Sequence, residues 1–202
     1  MNIHEDAVSK PLMNLLQKLM QIESLRNFNL VGGTALALQL GHRKSIDIHL
    51  FGIGKNDLQG IQVDLSENYN ATIKSASEIM FASYFDDIKV DAVNYPYQIL
   101  KPLVVFNEIR MYDLEDIAAM KLSAISQRGS KKDFWDIYFL LEKFSMNEML
   151  DFFKMNFKVT DVSHALRSLS YFKDADNEAD PEKIIPVKWN DIKKNLQMNY
   201  LK

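Results

Sequence analysis

Gly32 and Gly33 end the apolar run Phe28–Val31 and open TALALQL, a compact helix-forming segment. A glycine junction of this kind lets backbone N–H groups and the helix dipole meet a phosphate without side-chain obstruction. It serves equally well for tight packing of a strand against a helix. Thirteen residues separate Gly33 from Asp47, room for a short helix and a turn that bring the next strand beside the first. In IDIHLF, 46–51, the alternation predicts a half-buried strand with Ile46, Ile48 and Leu50 on one face and Asp47, His49 and Phe51 on the other. Asp91, between Val90 and Ala92, points opposite to its apolar neighbours. Asp47, His49 and Asp91 are therefore candidate ligands of one metal ion, as phosphoryl-transfer Mg²⁺ sites require. A solvated polar sheet face is the alternative.

A second set of groups lies further on. Leu114, Ile117, Ala118, Leu122 and Ile125 form a helical apolar stripe, and Lys121 sits within it. That lysine either snorkels to water along its stem or extends into a cleft to meet phosphate oxygens as a point charge. In the latter case Lys121→Met is expected to leave the fold as stable or more so. On the next helix Asp133 and Asp136 are i,i+3 neighbours; a favourable helix-dipole position accounts for Asp133, which leaves Asp136 as the better functional candidate. The basic clusters His42-Arg43-Lys44 and Arg128 with Lys131-Lys132 read as solvated turns or as phosphate contacts. Phe134, Trp135, Tyr138 and Phe139 read as helix core and not as a base-stacking platform. No metalloprotease, P-loop or serine-hydrolase motif is present.

The elements that must position these groups follow from periodicity and turn signals. Helices are expected over about 7–26, 57–69, 113–128, 131–143 and 189–201, with Asp113 as N-cap and Ser145 with Glu148 in capping-box spacing at the start of another. TDVSHALRSLSYF predicts one more helix, and 173–183, acidic and without apolar periodicity, reads as a loop or mobile linker. Strands are expected at 28–31, 46–51, about 71–76, in a hairpin through FDD at 85–87, and around 108–111.

Composition agrees with a helix-rich globular chain. Its 202 residues correspond to one domain or two small ones, and 47% apolar with 25% charged residues excludes a disordered class. Gly and Pro number only 7 and 5, too few enforced turns for an all-β sandwich. The absence of cysteine removes disulfides and thiolate chemistry, so any metal rests on oxygen or imidazole ligands. A net charge of −3 provides no global field for nucleic acid, and no apolar run predicts a membrane span; a cytoplasmic location is expected.

GGTALALQLGHRKSIDIHLF, 32–51, and DLEDIAAMKLSAISQRGSKKDFWDIYFLL, 113–141, resemble the two signature blocks of the AbiEii/AbiGii toxin family of nucleotidyltransferases. The resemblance implies an α+β fold: a polymerase-β-like mixed sheet flanked by helices over 1–112, then a helical bundle over 113–202 that brings Lys121 and Asp136 to the cleft. It implies transfer of a nucleoside monophosphate from a nucleoside triphosphate to a tRNA 3′ end or a protein hydroxyl, in a toxin–antitoxin or phage-defence system with a cognate antitoxin as partner. By that likeness Gly32, Gly33, Thr34, Arg43, Ser45 and Lys121 face the triphosphate. Asp47, His49 and Asp91 hold Mg²⁺, and Asp47, Lys121 and Asp136 are catalytic. The family pattern after Ser45 is Asp-x-Asp, whereas here the second acid is replaced by His49. Imidazole is a poorer ligand for Mg²⁺ and better suited to Mn²⁺. The alternative function is a nucleotide-binding or partner-binding module with the same fold and weakened catalysis.

Overall fold

A computed structural model describes residues 3–200. In chain order its elements are α1 (Lys10–Gln21), β1 (Phe28–Val31), α2 (Gly32–Leu40), β2 (Ile48–Ile53), α3 (Leu58–Tyr69), β3 (Thr72–Ala76), β4 (Met80–Phe85), β5 (Ile88–Tyr95), β6 (Val104–Phe106), β7 (Ile109–Met111), α4 (Leu114–Gln127), α5 (Lys131–Leu140), α6 (Met146–Phe157), α7 (Ser163–Ser168) and α8 (Trp189–Tyr200). The expected α+β architecture is present: one mixed sheet in the order β3-β4-β5-β2-β1-β7-β6, with helices around it.

Local chemistry sets the helix ends. The Ser9 hydroxyl accepts from Leu12 N at the start of α1, and the Asp113 carboxylate accepts from Glu115 N at the start of α4. Ser145 and Glu148 form the expected capping box on α6. The first helix is shorter than its apolar pattern, because the chain turns extended at Ile22 and makes a 3₁₀ turn over Glu23–Leu25. β6 is an additional short strand, paired with β7 as a hairpin whose turn places Asn107 and Glu108 at positive φ.

The centre of the sheet positions the site. β2 lies between β1, to which it is antiparallel with Val31 opposite His49, and β5, to which it is parallel with His49 opposite Asp91. The strand begins at Ile48 instead of Ile46, and Ile46 is 82% exposed. The reason is that the backbone of 44–47 is bonded elsewhere. Lys44 N donates to Glu182 O, Ser45 N donates to Ala7 O, and Asp47 O accepts from the Thr34 hydroxyl. Those contacts hold 44–47 outside the ladder, while the Asp47 side chain, just before the strand, still lies on the side of His49.

One continuous hydrophobic core takes in Leu12, Leu30 and Leu50 together with Leu122, Trp135 and Leu196, so the segments 1–112 and 113–202 share it. The expected aromatic core of α5 is borne out, with Phe134 and Trp135 fully buried and packed against Trp189 of α8. Among the described residues no helix is long and apolar enough to cross a membrane.

Candidate active site

A cavity of about 520 Å³ opens where the start of α2, the 43–47 segment, β2 and α4 meet, within the size range of small-ligand pockets. Val31, Gly32 and Gly33 form one end. α2 has no side-chain cap, so its first-turn N–H groups are left for solvent or a ligand. Gly32 has φ +71°, and a Cβ there would touch the His49 ring at 3.4 Å. A Cβ on Gly33 would lie 2.5 Å from an Arg43 guanidinium nitrogen. The glycine pair is thus needed for packing, and what it packs against are two side chains that line the cavity, His49 and Arg43.

Asp136 is fully buried behind the cavity and does not line it, a correction to its expected place among the reacting groups. Arg43 grips its two oxygens with Nε at 2.7 Å and Nη2 at 2.9 Å, His42 Nε2 donates at 2.7 Å, and Lys121 Nζ lies 2.5 Å away. Although burial opposes its ionisation, the charges of Arg43 and Lys121 hold the Asp136 carboxyl well below the ordinary 3.8. Asp133, assigned from sequence to the helix dipole alone, is a second buried anchor. It accepts from Lys121 Nζ at 3.0 Å, Arg128 Nε at 2.8 Å and Ser130 Oγ at 2.7 Å. Burial again opposes ionisation, and Lys121 with Arg128 lowers the Asp133 value far below the ordinary range.

Lys121 therefore neither snorkels to water nor extends as a free charge: it lines the cavity with its ammonium fixed between two buried carboxylates. Arg128, 57% exposed, stands beside it at the cavity mouth with exposed Lys132. Asp133, Arg128 and His42 were missed as members of one network. The visible signal was the sequence proximity of Arg128, Ser130 and Asp133, which fits a local side-chain cluster.

On the opposite wall, His49 stands between two carboxylates. Its Nε2 is 3.2 Å from Asp47 Oδ2 and its Nδ1 is 3.2 Å from Asp91 Oδ2, while Lys89 Nζ donates to the same Asp91 oxygen at 2.7 Å. Burial pulls the His49 value down, but hydrogen bonds to Asp47 and Asp91 outweigh it and hold the ring above its ordinary 6.5. Asp47 is depressed far below the carboxylate range, chiefly by His49 once burial is overcome.

The three expected metal ligands do converge, yet with His49 as a bridge whose two ring nitrogens both face carboxylates. Among the described residues no three such groups are arranged to hold a metal ion. Of the two hard carboxylates, Asp47 lines the cavity, whereas Asp91 does not: its Oδ2 meets Lys89 and His49, and its Oδ1 is buried without a hydrogen-bond partner. Among the expected triphosphate contacts, Arg43 and Ser45 line the cavity with the glycines, but Thr34 does not. Thr34 is fully buried and gives its proton to Asp47 O, accepting from Ser45 Oγ at 2.8 Å, so it fixes the approach to β2 from behind.

The remaining wall comes from the acidic segment 173–183, expected to be a loop or mobile linker: it is largely a loop, and it is anchored. Lys183 forms a β-bridge with Arg43, Ile184 N donates to His42 O at 3.1 Å, and Lys131 N donates to the Glu178 carboxylate at 2.9 Å. Lys183 also lies 5.1 Å over the Trp135 ring. Glu178, Ala179, Pro181 and Glu182 thereby line the cavity next to the segment that carries Arg43 and Lys44.

The family model for Nucleotidyl transferase AbiEii toxin, Type IV TA system, matches residues 61–200. The chain is 32% identical over 179 residues to an uncharacterised protein of Aquifex aeolicus (strain VF5), covering 85% of this chain and 86% of that one. It is similar in fold to JHP933 of Helicobacter pylori, with TM-score 0.57 and 18% identity over 96% of this chain and 92% of that one. A further likeness is to ANT(2")-Ia, solved in complex with adenylyl-2"-tobramycin, with TM-score 0.55 and 14% identity over 71% of this chain and 95% of that one.

Proposed function

As this chain belongs to the AbiEii nucleotidyl transferase toxin family, we propose that it transfers a nucleoside monophosphate from a nucleoside triphosphate to an acceptor hydroxyl, at a tRNA 3′ end or on a protein. The observation that carries the reading is the pair Arg43 and Lys121, both clamped on Asp136 at the cavity wall beside the uncapped start of α2 and across from Asp47. An anion placed there meets two fixed cations and free backbone N–H groups.

In this reading Gly32, Gly33, Arg43, Ser45 and Lys121 take the triphosphate, with Arg128 and Lys132 at the mouth. Asp133 and Asp136 are positioning residues: they lock the ammonium and guanidinium before substrate arrives, so no reorganisation is spent at the moment of reaction. Asp47, on the cavity wall, would hold a divalent cation, Mg²⁺ or Mn²⁺, which when bound would polarise the α-phosphate and offset its charge, and Asp91 would join it where the His49 ring swings aside. The acceptor oxygen then bonds to the α-phosphorus as pyrophosphate departs, and the hydroxyl proton passes to solvent. His49 keeps Asp47 and Asp91 apart and oriented. A cognate antitoxin and a role in phage defence belong to the same proposal.

One observation favours a second reading, a binding module without turnover: His49 fills the space between the two carboxylates. Turnover separates the two. Each α-³²P-labelled ribonucleoside triphosphate is incubated with total tRNA or total protein and Mg²⁺ or Mn²⁺, using the parent chain and Asp47→Asn. Label transferred by the parent and lost in Asp47→Asn supports the transferase. Triphosphate binding without transfer under any combination supports the module.

A further inference from the structure

We propose that Phe51 is the floor of a stacking subsite for the nucleobase of the triphosphate, a role that rests on the function proposed above. Phe51 follows His49 by two residues on β2, so it faces the same side of the sheet and lies roughly 7 Å further along the strand. That step leads away from the end of the cavity where the start of α2 and the cations sit. It leaves room for a ribose between a phosphate beside Asp47 and a ring over Phe51.

The ring is built to be rigid. Tyr95 stacks on it with centroids 4.8 Å apart and planes at 30°, and Tyr112 meets it edge-on at 6.4 Å. Tyr95 is in turn fixed by donating its hydroxyl to Asn156 Oδ1 at 2.6 Å. Phe51 is nevertheless only half-buried, and the part left open lines the cavity. Met120 of α4, adjacent to Lys121, also lines it and supplies an adaptable apolar wall. An apolar aromatic surface at the end of a charged phosphate cleft fits a planar heterocycle bearing phosphates. It fits no part of an inorganic polyphosphate.

Stacking does not read base edges, so all four nucleosides should use the floor to a similar degree. The test is calorimetric titration of the full chain, Phe51→Leu and Phe51→Tyr with each ribonucleoside triphosphate and with inorganic tripolyphosphate, in Mg²⁺. Phe51→Leu is expected to weaken nucleoside triphosphates by roughly 5- to 100-fold while leaving tripolyphosphate affinity unchanged, and Phe51→Tyr to restore most of the loss. Equal binding of nucleoside triphosphates by Phe51→Leu and the parent overturns the subsite. So does equal weakening of tripolyphosphate, or a parent that binds tripolyphosphate as tightly as the nucleotides. A parent that binds neither class overturns the function on which the subsite rests.

Discussion

Replacing Lys121 with Met removes the cation shared by two buried carboxylates while keeping an apolar side chain in the stripe. The ammonium lies 3.0 Å from Asp133 and 2.5 Å from Asp136, both fully buried. Breaking a buried pair by removing one partner costs about 3–5 kcal/mol, because the surviving charge is left under-compensated. Here each survivor keeps another partner: Asp133 retains Arg128 and Ser130, and Asp136 retains Arg43 and His42. The lower end, about 3 kcal/mol, is therefore expected. For a chain of this size that corresponds to a fall in Tm of roughly 6–12 °C. The assay is urea and thermal unfolding followed by circular dichroism, with Lys121→Met/Asp133→Asn as the companion variant. Removing the orphaned charge along with its partner should recover part of the loss. A single variant as stable as the parent would refute the ion-pair account and restore the view that Lys121 was an unpaired lysine waiting for phosphate.

Three further outcomes follow from the same geometry. Asp133 and Asp136 both lie below the ordinary 3.8 in the folded chain, so their stabilisation is present above that value and lost as pH falls through and beneath it. The urea midpoint should drop on acidification below roughly pH 4, and a midpoint that stays level down to pH 2.5 contradicts this. Gly33→Ala should destabilise by about 1–3 kcal/mol despite the better helix propensity of alanine, because its Cβ would press on a guanidinium that Asp136 holds from two sides; a gain in Tm would count against that grip. His49→Asp exchanges the ring between Asp47 and Asp91 for a third carboxylate. Its Tm should lie below the parent's in EDTA and rise more than the parent's when millimolar Mg²⁺ is added, whereas an equal metal response in both would dismiss the carboxylates as a cation site.

Alternation alone was enough to place Asp47, His49 and Phe51 on one side of β2, since a period of two follows from strand geometry. That His49 and Asp91 meet depends on the parallel pairing of β2 with β5, which joins segments about forty residues apart and has no local signature. Ile46 continues an apolar rhythm, yet the backbone of its neighbours Lys44, Ser45 and Asp47 is bonded to Glu182, Ala7 and Thr34, and its side chain is exposed. Asp133 and Lys121 each had a sufficient local explanation, a helix dipole and a snorkelling stem, and only the docking of α5 on α4 turned them into a pair. The 173–183 segment lacks apolar periodicity for a physical reason that sequence patterns do not encode: backbone bonds, capping by Glu178 and Lys183 over Trp135 hold it, not a buried stripe. Thr34 was read as facing ligand when its hydroxyl is spent on the backbone of Asp47.

The wall built by Glu178, Pro181 and Glu182 also gives the site a direction in time. A chain grows from its N-terminus and its early portions emerge first. Gly33, Arg43 and Asp47 are thus made well before the carboxylate that clamps Arg43, 93 residues on, and the wall follows later still. A half-synthesised chain carries the glycine turn, Asp47 and Asp91, but neither the carboxylates that fix Arg43 and Lys121 nor the last wall of the cavity. A chain that stops short of this segment lacks the wall of Glu178, Ala179, Pro181 and Glu182, and one that stops short of Asp136 also lacks the clamp on Arg43.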